Sequence, residues 1–348
     1  HTGAGADERD RFPCWLLGPS AHTRGCAHES VTSFPEKLRL CDAHGRGARG
    51  ERTIGRFERP IEGEERRETR EGVRFGKPAR ARGAEFRIEG RVVREGMREA
   101  RATESIEAGE CAARVPWSAL LGVEQVVRAS SSPMCEVLKQ LTGTMSDQVI
   151  MVVWLTAALS VSDDVSSESE SEWAPALRAL PRRESTALAW NPDAMRLVLG
   201  EEHARRLIEY QQSVRKQYDM LFPALCAQVP EAFPLEIFGE YRRFALAHDV
   251  WTSYAMKVQD PASLCIREVI VPGVYLCNHA LHAHSVRYTS LERDTNAFRL
   301  ELARGASPGE PITISYGRLE NVELVAYYGF SLANNPYDRL PFTIPGID

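Results

Sequence analysis

Three stretches near the end of the chain decide its reading: Val271-Pro272-Gly273-Val274-Tyr275-Leu276-Cys277-Asn278-His279, Pro308-Gly309-Glu310-Pro311-Ile312-Thr313-Ile314-Ser315-Tyr316-Gly317, and Asn321-Val322-Glu323-Leu324-Val325-Ala326-Tyr327-Tyr328-Gly329-Phe330, the last followed by Asn335-Pro336-Tyr337-Asp338. Each alone is weak, because an Asn-His pair or a Tyr-Gly pair occurs often by chance. Their order and spacing together are far more specific.

Around them the chain changes grammar twice. Val269–Val271, Ala297–Leu302 and Ile312–Tyr316 are short strand-like runs joined by Gly and Pro. Before them lies a long helical region. Glu201–Phe222 carries an apolar stripe through Leu207, Tyr210, Val214, Tyr218, Leu221 and Phe222. A second helical pattern runs from Leu235 to about Met256, and Met134–Leu159 is apolar enough for one or two buried helices. Asn191 is a natural cap for a helix with Pro192 at its first position, where the missing N–H costs nothing. Ser160–Ser171 reads as a solvated loop. Further upstream, Phe86–Ile88 and Arg91–Val93 suit strands, and Ile106–Glu110 turns into Cys111–Val115. Strands, a helical insertion, then strands again predict an α+β domain whose sheet is assembled from both ends of the chain.

Residues 1 to 84 alternate Arg, Glu and Gly with few aliphatics and cannot offset their chain entropy by burial, so a disordered arm is expected there. Read as a nucleic-acid arm, it would have its field cancelled by the interleaved Glu. The net charge of −5 over 348 residues also argues against a nucleic-acid partner. No apolar run is long enough to span a membrane. Eight scattered cysteines without a C-x-x-C pair suggest reduced thiols and an intracellular chain. A start at His1 suggests a fragment or a processed form.

The three stretches resemble the SET-domain family, in particular the branch with the Rubisco large-subunit lysine methyltransferases and the actin-histidine methyltransferases. That branch has an Asn-His pair after a Pro-led strand, a Gly-Glu turn leading to an Ile-Ser-Tyr-Gly strand, and an Asn-x-Glu-Leu helix reaching a Tyr-Gly-Phe. Ser105–Glu110 through Val115-Pro116 resembles its first hairpin, and Glu172–Leu177 with Leu180-Pro181 and Trp190 resembles its helical insertion. The resemblance covers about residues 88 to 342. It implies a SET domain with its N-terminal part at 85–134, its helical insertion at 135–258 and its C-terminal part at 259–348.

The resemblance implies S-adenosylmethionine (AdoMet) as cofactor and a lysine-bearing protein as substrate, with a monomeric enzyme expected. Methyl transfer to an amine is an in-line displacement, to which a protein contributes positioning and electrostatics. A lysine, with a reference pKa of about 10.4, must arrive neutral, and an aromatic channel favours that form by desolvation. The sulfonium attracts ring faces and oxygen lone pairs. On the family pattern, Tyr316 borders the transferred methyl, Tyr328 lines the same channel, and Asn278 and His279 seat the cofactor, their strand ends forming the family's threaded crossing. Plainer readings stand beside these. Tyr316 could be a core aromatic, Asn278 a turn residue, and His279 a hydrogen-bonded core histidine. Cys277, His279, His282 and His284, with Cys265 nearby, offer zinc-type ligands, but from one patch and not as spaced pairs. No metal is therefore expected, and His282 and His284 are expected on an exposed loop beside the channel.

Four departures from the family pattern bear on function. Met97-Arg98-Glu99 stand where the first hairpin usually carries Gly-Arg-Gly, which puts Arg98 and Glu99 at the cofactor. Tyr275 replaces an Asp three residues before Asn278. The insertion helix normally ends in Ser-Arg, whose guanidinium can grip the AdoMet carboxylate; that place holds Thr252 or Ser253, depending on a one-residue alignment choice. Arg98 or Arg101 are the candidates to compensate. The branch also continues into a helical substrate-docking domain, which is expected to be absent here. The readings are thus a lysine methyltransferase, a histidine methyltransferase, and an inactive SET-like protein-binding module.

Overall fold

Strands come first: β1 (Glu85–Phe86), β2 (Ile88–Arg94), β3 (Met97–Ala102) and β4 (Cys111–Pro116). Helices follow: α1 (Val123–Ala129), α2 (Pro133–Leu141), α3 (Asp147–Val161), α4 (Pro192–Leu199), α5 (Glu201–Gln228), α6 (Leu235–Phe238) and α7 (Tyr241–Tyr254). The chain then returns to strands β5 (Ala255–Gln259), β6 (Ile266–Ile270), β7 (Asn278–His279), β8 (Leu291–Glu292), β9 (Ala297–Glu301) and β10 (Thr313–Ile314), and ends in α8 (Asn321–Tyr328). In this computed structural model the described residues are 79–80, 82–94, 97–129, 132–161, 173, 177, 180, 186–260, 263, 265–284, 291–292 and 296–339.

The sheet is built from both ends of the chain, as the order of elements predicts. Strand β4 pairs antiparallel with β1 on one side and with β9 on the other, and β8 adds to β9. Two antiparallel hairpins stand beside it, β2 with β3 and β5 with β6. A parallel pair, β7 with β10, joins the Asn-His stretch to the Tyr-Gly stretch.

The insertion is held by apolar packing. Helix α3 is apolar all round, and Ile150, Met151, Val152, Val153, Trp154 and Leu155 are all buried, as a helix enclosed on every side must be. Tyr218 and Phe222 of α5 stack at 5.2 Å, and Phe222 meets Phe244 of α7 edge-on at 5.1 Å. Asn191 caps α4 as expected, its side chain accepting from Asp193 N and Ala194 N.

Several boundaries differ from expectation. Most of the Arg/Glu/Gly-rich arm, residues 1–78, lies outside the described residues, as does most of the Ser160–Ser171 loop. Ala79 and Ala84, which composition assigns to the arm, are instead buried, and Ala84 N donates to Ala79 O at 2.9 Å. A helix that the sequence pattern does not predict, α1, precedes α2, and its Val126 packs into the core. The single pattern from Leu235 to Met256 divides into α6 and α7. The chain leaves the helix at Glu240, whose backbone is extended (φ −103°, ψ 113°), just after Gly239, where a Cβ would stand 2.5 Å from Leu235 O. Met256 belongs to a strand, drawn into pairing with β6.

Candidate active site

Asn278 and His279 meet the Tyr316 segment through parallel pairing of β7 with β10, with Thr313 opposite Asn278 and Ile314 opposite His279. The pairing extends one step further, where Ala280 N donates to Ile314 O at 3.1 Å. Tyr316 is then fixed at both ends. Its backbone N–H donates to Nδ1 of His279 at 3.1 Å, and its hydroxyl donates to Cys277 O at 3.1 Å. Since Nδ1 accepts, the neutral His279 ring carries its proton on Nε2. Burial holds the His279 pKa below its usual value, with a hydrogen bond to the Ile314 backbone pulling the other way.

Rings gather around Tyr316. The Tyr328 ring lies at 4.5 Å between centroids and the His279 ring at 5.2 Å. Phe330 stands 6.4 Å from Tyr316 and 6.3 Å from Tyr328. All four are half-buried. The sequence reading did not assign Phe330 a place. Its signal was the glycine before it: Gly329 ends α8 in the left-handed region (φ 74°, ψ 23°), which turns the chain so that residues 328 and 330 serve one cluster.

Helix α8 is located by the third motif. Glu320 and Glu323 form a reciprocal capping box. Asn321 donates to Leu332 O and Asp338 Oδ2, both at 3.0 Å, and accepts from Leu332 N at 2.9 Å. The Asn321 and Asp338 positions of the motif therefore staple the segment after Tyr-Gly-Phe onto the start of the helix.

The β2–β3 hairpin also reaches the site. Asn278 Nδ2 donates to Arg98 O at 3.0 Å. The Arg98 charge acts on Tyr254, at the end of α7, and on Tyr275, easing the upward push that burial gives both phenols. Those two rings meet edge-on at 6.1 Å, and burial takes Tyr254 up to about 12. Glu99 and Arg101 form an ion pair with each other, and Arg101 also donates to Gly309 O at 2.9 Å. The charge of Glu99 is thereby neutralised locally. Of the two candidate cations, Arg101 is occupied by Glu99 and the Gly-Glu turn, while Arg98 faces the tyrosines next to Asn278.

Thr252 is placed differently from the other expected residues. Its hydroxyl lies 3.3 Å from Nδ1 of His248, one turn back on α7, where Tyr210 Oη also approaches at 3.5 Å. Thr252 thus serves a buried polar cluster in the insertion. Its neighbour Ser253 donates to Tyr327 O at 2.6 Å and ties α7 to α8. The expectation for His284 is corrected. It is buried, 3% exposed, between Glu310 and Thr313, because two partners satisfy its ring. His282 is exposed, and the Cys277 thiol is buried, its pKa pushed up to about 12.

No family profile matches the chain. It is 23% identical over 248 residues to an actin-histidine N-methyltransferase of Xenopus tropicalis, covering 69% of this chain and 39% of that protein. It is 21% identical over 248 residues to SET domain-containing protein 4 of Mus musculus, covering 68% of this chain and 53% of that one. The chain spans about half the length of the curated relatives it matches, or less. Among solved structures, the SET domain of LSMT bound to lysine and AdoHcy superposes with a TM-score of 0.57 at 18% identity, over 75% of this chain and 57% of that one. Rubisco LSMT bound to AdoMet gives 0.57 at 19%, over 75% and 56%. The resemblance read from the three motifs is borne out in the architecture: the chain has the SET-domain fold.

Proposed function

We propose that this SET-domain chain is a protein methyltransferase that uses AdoMet to methylate a lysine side chain of another protein. One observation carries the reading: the Asn278-His279 pair and Tyr316 are joined side by side, with a half-buried ring cluster of Tyr316, Tyr328 and Phe330 around them.

The residues present fit AdoMet. A sulfonium is attracted to ring faces and to carbonyl oxygens, and the cluster offers three aromatic rings beside the Cys277 carbonyl. A carboxylate is attracted to a guanidinium, and the Arg98 charge acts on Tyr254 and Tyr275 while its backbone carbonyl accepts from Asn278. AdoMet, when bound, supplies an electrophilic methyl. The chain's part is to hold and exclude. Tyr316, pinned at its amide and its hydroxyl, borders the channel, and Tyr328 shapes it. Asn278, His279 and Arg98 seat the cofactor. The apolar walls favour a neutral amine over an ammonium by desolvation.

A lysine acceptor is supported by the second phenol at Tyr328, and by a structural neighbour bound to lysine and AdoHcy. Histidine is the second reading, because one curated relative is named for that activity. The third reading is a binding module without activity, motivated by the missing hairpin glycines at Met97-Arg98-Glu99 and by Thr252 or Ser253 standing where the family has Arg. Titration of AdoMet into the folded chain separates enzyme from module. A ligand that binds only the native state raises its melting temperature at saturation. No shift at millimolar AdoMet would reject the enzyme. Mass spectrometry after incubation with poly-L-lysine and poly-L-histidine then decides the acceptor.

A further inference from the structure

The sequence predicts an exposed loop position for His284, yet it is one of the most connected side chains near the candidate site. Its Nδ1 accepts from Thr313 N at 3.3 Å and lies 3.1 Å from the Thr313 hydroxyl. Its Nε2 lies 3.0 Å from Glu310 Oε1. With Nδ1 accepting, Nε2 carries the proton and donates to the carboxylate. Glu310 is itself held: Ser307 N donates to Oε2 at 3.0 Å, and Arg304 donates to Oε1 at 3.2 Å. These contacts hold the Glu310 carboxyl below its ordinary pKa, the Ser307 amide most strongly. Arg304 Nη2 also comes within 3.5 Å of His284 Nδ1, so among the described residues Glu310, Arg304 and Thr313 are the polar side chains that face this ring.

The backbone of His284 joins three segments. Its N–H donates to Thr313 O at 3.1 Å, and its carbonyl accepts from Ala303 N at 2.7 Å. Thr313 is the residue that pairs with Asn278, and three positions later comes Tyr316. Two imidazoles therefore hold one short strand in the same way, His284 taking the Thr313 N–H and His279 taking the Tyr316 N–H, each through Nδ1. A two-residue strand has almost no ladder of its own, so these side-chain acceptors replace missing backbone partners.

We propose that His284 and Glu310 form a positioning dyad that sets strand β10, and through it the Tyr316 phenol, for methyl transfer. The dyad is not in contact with Tyr316; it acts through Thr313. The inference rests on the methyltransferase reading for its purpose, but its geometry can be tested without activity.

The test compares His284→Asn with His284→Gln in the full chain. The Asn carboxamide offers an acceptor where Nδ1 stands, and the Gln carboxamide reaches toward Glu310 while leaving the Nδ1 position empty. Amide hydrogen exchange is followed at Thr313 and Tyr316, with the amides of α3 and α5 as reference. The Gln variant is expected to speed exchange at both site amides by about tenfold or more, and the Asn variant to restore most of the protection at Thr313. Methyl transfer to poly-L-lysine is expected to fall in kcat by up to about a hundredfold in the Gln variant, with little change in KM. Unchanged Tyr316 exchange in both variants overturns the proposal. So does an equal rise across α3 and α5, which would mean a role in overall stability alone. Failure of the wild-type chain to bind AdoHcy would reject the function and leave the exchange result to decide the dyad.

Discussion

The amide of Tyr316 donates to Nδ1 of His279 across 3.1 Å, so the residue that borders the proposed methyl channel is held by the residue proposed to seat the cofactor. The Tyr316 hydroxyl is fixed separately, on the carbonyl of Cys277. Tyr316→Phe keeps the ring and the amide bond and removes only the hydroxyl. Its stability cost is expected to be about 1–2 kcal/mol for one hydrogen bond to the carbonyl of buried Cys277. If that hydroxyl stabilises the transition state, turnover falls about a hundredfold or more. Denaturant melts beside methyl-transfer rates test this, and equal activity in mutant and wild type removes Tyr316 from the mechanism.

Arg98 tests the cofactor handle. The family pattern brings a guanidinium from the end of the insertion helix; here Thr252 is turned to His248, and Arg98 on β3, whose carbonyl accepts from Asn278 and whose charge acts on Tyr254 and Tyr275, is the proposed replacement. Arg98→Ala is expected to weaken AdoMet binding about 10- to 100-fold, the range for losing a hydrogen bond to a charged group. Arg205→Ala, which breaks exposed ion pairs on α5, is expected to leave the affinity unchanged. Calorimetric titration reads both, and an Arg98→Ala affinity equal to wild type would place the carboxylate elsewhere.

How much of this was legible differs from residue to residue. The meeting of Asn278-His279 with Tyr316 was legible because short motifs in fixed order report a shared topology. The sheet closed by Cys111–Pro116 against Ala297–Glu301 was legible for a plainer reason, the return of strand grammar after the helices. His284 was not. A histidine two positions from another in a polar stretch gives no hint that Glu310 and Thr313, 26 and 29 positions away, will satisfy its ring. Thr252 was ambiguous by one residue, and one residue on a helix is about 100° of rotation. That is enough to separate the His248 contact of Thr252 from the Tyr327 contact of Ser253.

Gly329 carries the turn that gives Tyr328 and Phe330 to the same cluster. At φ 74° an L side chain is strained, so Gly329→Ala is expected to cost about 1–2 kcal/mol. The cost should also appear at the site, since relieving the strain rotates Phe330 away from Tyr316. The expected result is a lowered melting temperature together with weaker AdoMet binding, measured on the same preparation. Weaker binding without any loss of stability, or the reverse, would separate the turn from the ring cluster.

The buried cluster behind the site predicts a pH dependence. Burial lowers the His248 pKa to about 4, and Gln148, Tyr210 and Thr252 surround its ring without an opposite charge among these contacts. In the unfolded chain the same group titrates near 6.5. Between those values the unfolded state binds the extra proton and the folded state does not, so stability rises with pH across that window. It is fully present above about pH 6.5 and falls as the pH drops toward 4, by about 3 kcal/mol from this group. His279, also shifted down by burial, adds in the same direction. Urea unfolding at pH 7, 5.5 and 4.5 should show the fall, and His248→Gln should flatten most of it. A slope that survives His248→Gln undiminished assigns the acid sensitivity to other groups and means that the His248 pKa is not lowered in the fold.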